Sequence, residues 1–95
     1  MIKRIVKLHI KPSEVDAFKD LFLKSKPIIL SFDCQHVECL QSVDNSSVFF
    51  TYSHWKSVDA LNKYRHSDDF AAIWKRTKAL FDDIKAEAWS TEKVQ

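Results

Sequence analysis

The sequence predicts an α+β fold, a four-stranded antiparallel sheet with helices on one face. Three observations carry that expectation. Strand-like alternation appears near both ends and in a central pair of runs. Two stretches with helical spacing separate those runs. The link between the two central runs is short enough for a hairpin.

In residues 2–10, IKRIVKLHI, Ile2, Val6, Leu8 and Ile10 share one face with Arg4, while Lys3, Ile5, Lys7 and His9 share the other. Pro12 ends this half-buried first strand. Ser13 and Asp16 have the spacing of a helix-capping pair. Val15, Phe18, Leu21 and Phe22 then form an apolar stripe for a helix lying on the sheet. Pro27 disfavours helix at Lys26, so a kink or stop is expected there, followed by a short apolar segment from Ile28 to Phe32.

Residues 34–42, CQHVECLQS, read as the second strand and 48–55, VFFTYSHW, as the third. Asp44-Asn45 is the expected turn pair between them. The chain has no glycine, so any left-handed position must use another residue, and Asp33 is a candidate. Ser57 is placed to cap a short helix with Val58 and Leu61 facing inward. Ser67 is placed to cap a longer one, with Asp68 and Asp69 favourable at its N-terminus. In that helix Phe70, Ile73, Trp74, Thr77, Leu80 and Phe81 keep the helical period. Residues 84–91, IKAEAWST, alternate as a last strand. The order strand, helix, strand, strand, helix in two pieces, strand is the split βαβ, ferredoxin-like pattern. One domain over residues 1–95 accommodates it.

Such a sheet has helices on one face only. The hairpin is apolar on both, with Val48, Phe50 and Tyr52 on one side and Phe49 and Trp55 on the other. Three Trp, seven Phe and two Tyr exceed what a small monomer of this kind needs. Both facts predict a homodimer through sheet-on-sheet packing. The 15 basic and 13 acidic residues are interspersed and give a net charge of +2, which argues against a nucleic-acid partner. No apolar run resembles a secretory signal or a membrane span, so a cytoplasmic protein is expected, with no membrane partner. Cys34 and Cys39, five apart in one strand, are expected on opposite faces as reduced thiols.

The strand leading into two helices forms a cup, with Trp55 on its rim. Cys34, His36 and Glu38 alternate and are expected on one face, with Tyr52 and His54 beside them if the register allows. Thiol, imidazole and carboxylate suit zinc, but the spacing signatures of zinc sites are absent. The competing readings are a satisfied polar core, which is preferred, a metal site, and a pocket in which His36 or His54 accepts a proton. Trp55 and Trp74 read as core or as a flat aromatic wall. Tyr64 reads as a surface residue or a donor to a bound carbonyl. Arg4, Arg65 and Arg76 are expected to pair locally with acids, and His66 to be solvated. No nucleophile–base pair, Walker loop or dinucleotide fingerprint is present.

Trp55, Ser57, Asp59, Ala60-Leu61, Tyr64, Ser67 and Asp69-Phe70, with Glu87 to Ser90 near the end, make the chain similar to the antibiotic biosynthesis monooxygenase family. The resemblance covers nearly the whole chain and implies a dimeric α+β barrel. It implies a cofactor-independent monooxygenase acting on a hydroquinone, anthrone or related aromatic. In that reading His36 or His54 is the base, Trp55, Trp74 and Tyr64 stack on or orient the ring with Tyr52 beside them, and Phe22 closes the cup. The chain departs from the family pattern at Tyr64 and Asp69, where many members carry histidine. It also lacks the first-strand Asn of the haem-degrading branch and has Trp74 where that branch ligates haem through His, which argues against haem chemistry. Two alternatives remain: a non-catalytic barrel that binds a small apolar metabolite or acts as a stress-related accessory protein, and an isomerase or cyclase that works without oxygen.

Overall fold

A computed structural model describes residues 1–95. The strands are β1 (Ile2–His9), β2 (Cys34–Gln41), β3 (Val48–Trp55) and β4 (Glu87–Glu92), and the helices are α1 (Val15–Leu30), α2 (Val58–Arg65) and α3 (Asp68–Lys78). The strands form one antiparallel sheet in the order β2-β3-β1-β4, and the fold is ferredoxin-like. β1 and β3 are the central strands, each with buried apolar residues at both ends of its helix-covered face, whereas β4 is an exposed edge.

The register sorts the side chains by face. Ile2, Arg4, Val6 and Leu8 of β1 lie opposite Trp55, Ser53, Thr51 and Phe49 of β3, under the helices. The outer face carries rows that cross all four strands. One is Glu38, Tyr52, Ile5 and Trp89; its neighbours are His36, His54, Lys3 and Thr91 on one side and Leu40, Phe50, Lys7 and Glu87 on the other.

Several local expectations are corrected. Ser13 does not cap α1. Pro12–Glu14 forms a single 3-10 turn, Glu14 precedes the helix, and no side chain caps it. α1 also runs through Pro27 to Leu30. Pro27 and Leu23 are both exposed, so the ring meets no packed neighbour and the Leu23 carbonyl, which loses its helical donor, faces water. Burial of Ile29 beyond the proline holds the last turn on the sheet.

In β2 the pairing shifts between Cys34 and His36, a β-bulge. The Cys34 thiol donates to the His36 carbonyl at 3.2 Å and spans the extra residue. Cys34 therefore lies under the helices opposite Trp55, while His36 and Glu38 lie on the outer face. The three do not share a face as their alternation implied. Cys34 and Cys39 share the helix-covered face, contrary to expectation. Their partners Trp55 and Thr51 are four residues apart along β3, about 13 Å at the usual rise, so no disulfide joins them.

The two serine caps form as expected. Ala60 N–H donates to Ser57 Oγ at 3.1 Å and Phe70 N–H to Ser67 Oγ at 3.0 Å. Leu61 is buried, but Val58 faces solvent. α3 stops at Lys78, three residues before the end of its apolar pattern, because Leu80 and Phe81 turn back to pair with the end of β1. The Lys11 N–H donates to the Leu80 carbonyl and the Asp82 N–H to the His9 carbonyl. β4 likewise begins at Glu87, later than the alternation from residue 84 implied.

Asp33 is the one residue with positive φ, at 61°. Asp44 and Asn45 turn the hairpin without it, because Ser42 Oγ accepts their two N–H groups and Asn45 Oδ1 accepts that of Ser47. Left-handed backbone costs most residues about 1–2 kcal/mol but little for glycine. Asp33→Gly is therefore expected to keep or raise the midpoint of chemical denaturation, and Asp33→Val to lower stability by about 1–2 kcal/mol. Equal midpoints for the two variants would contradict this account of the turn.

Candidate functional site

The interior is divided. One cluster of buried residues gathers Trp55, Leu61, Tyr64, Ile29 and Val37. A second gathers Leu8, Ile10, Phe18 and Phe49. Between them lies a cavity of about 390 Å³, floored by the sheet and walled by the three helices. Residues of both clusters line it, and the lining is mostly apolar.

Aromatic contacts hold the walls. Trp55 stacks on Tyr64 with centroids 5.3 Å apart and planes at 22°. Tyr64 meets the edge of Phe70 at 5.2 Å, Phe70 stacks on Trp74 at 6.0 Å, and Trp74 meets Phe81 edge-on at 5.5 Å. Trp55 is among the largest fully buried side chains and forms the floor rather than the rim. Its Nε1–H donates to Ser53 Oγ at 2.9 Å, which satisfies a buried donor and turns the indole toward Tyr64. Two further buried hydroxyls border the cavity on the helices. Ser25 donates to the Leu21 carbonyl at 2.7 Å and Thr77 to the Ile73 carbonyl at 2.8 Å, so both are satisfied without a ligand.

Burial pushes the Tyr64 hydroxyl up to about 12, with the charges of Cys34 and Asp69 acting in the same direction. Tyr64 thus stays a proton donor across the neutral range. Burial likewise raises both thiols, Cys39 to about 11, so neither is a ready nucleophile.

The structure separates the residues singled out from sequence. Trp55, Trp74, Tyr64 and Phe22 line the cavity together. His36, His54 and Tyr52 are absent from it, because they stand on the outer face of the sheet. There they form their own cluster. The Tyr52 and His54 rings meet edge-on at 4.9 Å, the His36 and His54 rings lie 5.2 Å apart, and His36 Nε2 lies 3.3 Å from Glu38 Oε1. His54 Nε2 is shielded from solvent and has no hydrogen-bond partner in the chain. A base on that face cannot reach a molecule in the cup through the sheet. No set of three His, Cys, Asp or Glu side chains converges as metal ligands. His66 is exposed, as expected from sequence, and also borders the cavity.

Arg4 and Arg65 are the charged cavity residues that sequence reasoning did not group with the cup. Both line the cavity. The chain's ion pairs are Lys24 with Asp20 and His36 with Glu38, so neither arginine, nor Arg76, has the acidic partner expected of it. Arg4 Nη1 donates to Ser90 Oγ at 3.1 Å. The available signal was a charge in the middle of the apolar face of β1.

The profile of the antibiotic biosynthesis monooxygenase family matches residues 1–76. The chain belongs to that family. No match is found among curated proteins. Solved structures share the fold at low identity. An antibiotic biosynthesis monooxygenase superimposes with a TM-score of 0.90 at 17% identity, covering 100% of both chains. A conserved protein from Methanosarcina mazei Go1 gives 0.89 at 22%, covering 97% of this chain and 91% of that one. A mutant of SnoaB, a cofactor-independent oxygenase from Streptomyces nogalater, gives 0.88 at 13%, covering 99% and 93%. In this chain Trp55 lies on the cavity floor, and Ser57 and Ser67 cap the two short helices.

The raised Tyr64 group has a consequence for alkaline stability. Between its unfolded value near 10 and its folded value near 12, the native state holds a proton that the unfolded state has lost. Stability therefore falls as pH rises through that window, by about 2–3 kcal/mol from this group. Urea denaturation at pH 9.5 and 11.5 is expected to show the loss in the native sequence and a smaller loss in Tyr64→Phe. The same loss in both proteins would remove the assignment.

Proposed function

We propose that the chain is a cofactor-independent monooxygenase acting on a hydroquinone- or anthrone-like aromatic in the cavity, as a homodimer through the outer sheet face. The observation that carries the reading is the open space between the two halves of the core, walled by Trp55, Tyr64 and Trp74. A close-packed interior does not leave such a gap without a use for it. Flat apolar rings fit between stacked aromatic walls.

In this chemistry the substrate supplies the electrons. An anthrone methylene and O₂ give the ketone and water: two C–H bonds are lost, one oxygen atom enters the carbonyl, and the other leaves as water. The protein's share is to exclude water, orient the ring and move a proton. Trp55, Trp74 and Phe22 exclude water. The Tyr64 hydroxyl donates to a ring oxygen. His66 replaces His36 and His54 as proton acceptor, because it is the imidazole that borders the cavity.

The dimer reading rests on the outer face. Its middle row carries Tyr52, Ile5 and Trp89 beside Glu38, and no helix covers it. Leu40 and Trp89 are large and exposed beside Phe50 and Ile5. The unpartnered His54 Nε2 adds a polar atom that a second sheet or a trapped water would satisfy.

Oxygen uptake by the purified protein with a panel of hydroquinones and anthrones, corrected for autoxidation, tests the activity. Uptake is expected above background. It should fall at least about tenfold in Ile73→Trp, which fills the cavity, and in His66→Gln, which removes the acceptor. Saturable binding without uptake would instead make the protein a carrier for the same ligands.

Light scattering tests the assembly, with a mass of twice 11.1 kDa expected at micromolar concentration and a monomer from Phe50→Glu. Burial, then the positive charges of Lys3 and His36, holds the His54 imidazole below its ordinary 6.5, with Glu38 opposing. The native state therefore binds fewer protons than the unfolded chain, and stability declines as pH drops below 6.5. His54→Gln is expected to flatten that decline in thermal melts from pH 7.5 to 5. An unchanged slope would rule His54 out as its source.

A further inference from the structure

The cavity is apolar over most of its wall, yet it carries two guanidinium groups. Arg4 comes from the helix-covered face of β1 and Arg65 from the end of α2. Arg4 is partly buried, held among Ile2, Val6 and Leu8 along its own strand. Burial lowers its affinity for its proton, and the nearby charge of Arg65 lowers it further. Arg65 is exposed and water balances its charge, whereas Arg4, partly buried and in no ion pair, gains from an anionic partner in the cavity. Ser90 takes one N–H of Arg4 and leaves the rest of its fork free. A guanidinium fork fits a planar two-oxygen anion, or a single oxyanion, better than it fits water. Trp55, Tyr64 and Trp74 line the same cavity.

We propose that the cavity takes a flat aromatic molecule bearing an anionic oxygen, with the ring between the aromatic walls and the oxyanion held by Arg4 and Arg65. This rests on reading the cavity as the ligand site and adds the substrate's class: an aromatic acid, or a phenol bound as its phenolate. In both cases the arginines hold the negative charge. In the second they also make the deprotonated, oxygen-reactive form easier to reach.

Binding of 2-naphthoate and of its neutral analogue 2-naphthamide to the full chain, read by calorimetry and by quenching of tryptophan fluorescence, separates the proposal from the reading beneath it. Naphthoate is expected to bind at least about tenfold tighter than the amide. The preference should shrink as salt is raised from about 20 mM to about 500 mM. Arg4→Gln and Arg65→Gln should each weaken naphthoate about five- to tenfold and leave the amide unchanged, so amide binding also reports that the variants are folded.

Equal binding of acid and amide, or naphthoate binding indifferent to both substitutions, would overturn the oxyanion site while the cavity reading stood. If neither probe binds, the cavity reading fails and the proposal fails with it. 2-Naphthol then assigns the source of the charge. An O–H acidified on binding to the native protein, but not to the arginine variants, marks a phenolate site. An unshifted O–H beside tight naphthoate binding marks a carboxylate site.

Discussion

Tyr64 is the contact on which the arrangement of helices over sheet depends. Its ring touches Trp55 from β3, Phe32 from the turn after α1, and Phe70 from α3, all with centroids between 5.2 and 5.3 Å. One side chain at the end of a two-turn helix thus joins the sheet to the other two helices. A buried aromatic stabilises by roughly 1.5–3 kcal/mol through the area it removes from water, and each well-placed aromatic pair adds about 0.5–1.5 kcal/mol. An α2 of eight residues would not persist alone. It is ordered by this contact and by the Ser57 cap, and it brings Arg65 and His66 to the cavity as a result.

The same geometry explains why the molecule has two separate polar aromatic clusters. A strand points alternate side chains to opposite faces, so β3 sends Trp55 and Ser53 under the helices and His54 and Tyr52 outward. The bulge between Cys34 and His36 makes the division sharper. It returns Cys34 to the helix side beside Trp55 and leaves His36 next to His54. The cup and the outer face are therefore chemically independent, although along β3 the residues of one alternate with those of the other.

Much of the fold was legible because it rests on local rules. Alternation gave the strands, Ser57 and Ser67 gave the caps, and the double-sided hairpin marked the outer face as unusual. Trp55, Tyr64, Trp74 and Phe22 were grouped through the family resemblance, and the strand and helices that carry them do meet around one cavity. The bulge was not, because its extra residue is Gln35, and no glycine or proline marks it. Pro27 misled because the rule against proline in helices weakens where the ring and the freed carbonyl face water. Arg4 was visible as a charge on an apolar face, but its lack of an acidic partner is a property of three dimensions. The two histidines were grouped with the cup on chemical type alone, and type carries no information about which face a strand residue takes.

The cavity's chemistry is then narrower than family membership implies. Its Ser25 and Thr77 hydroxyls are already satisfied by their own helices, no thiol lines it, and its imidazole lies at the border rather than on the floor. That inventory is poor for nucleophilic or metal-assisted catalysis. It suits a reaction whose driving force lies in the bound molecule, where the protein removes water and holds charge as it develops. A site of that kind needs no strong base, because lowering the energy of the anion achieves the same proton loss from the other side of the equilibrium. Under the proposal above, that role falls to Arg4 and Arg65, with the Tyr64 hydroxyl beside them.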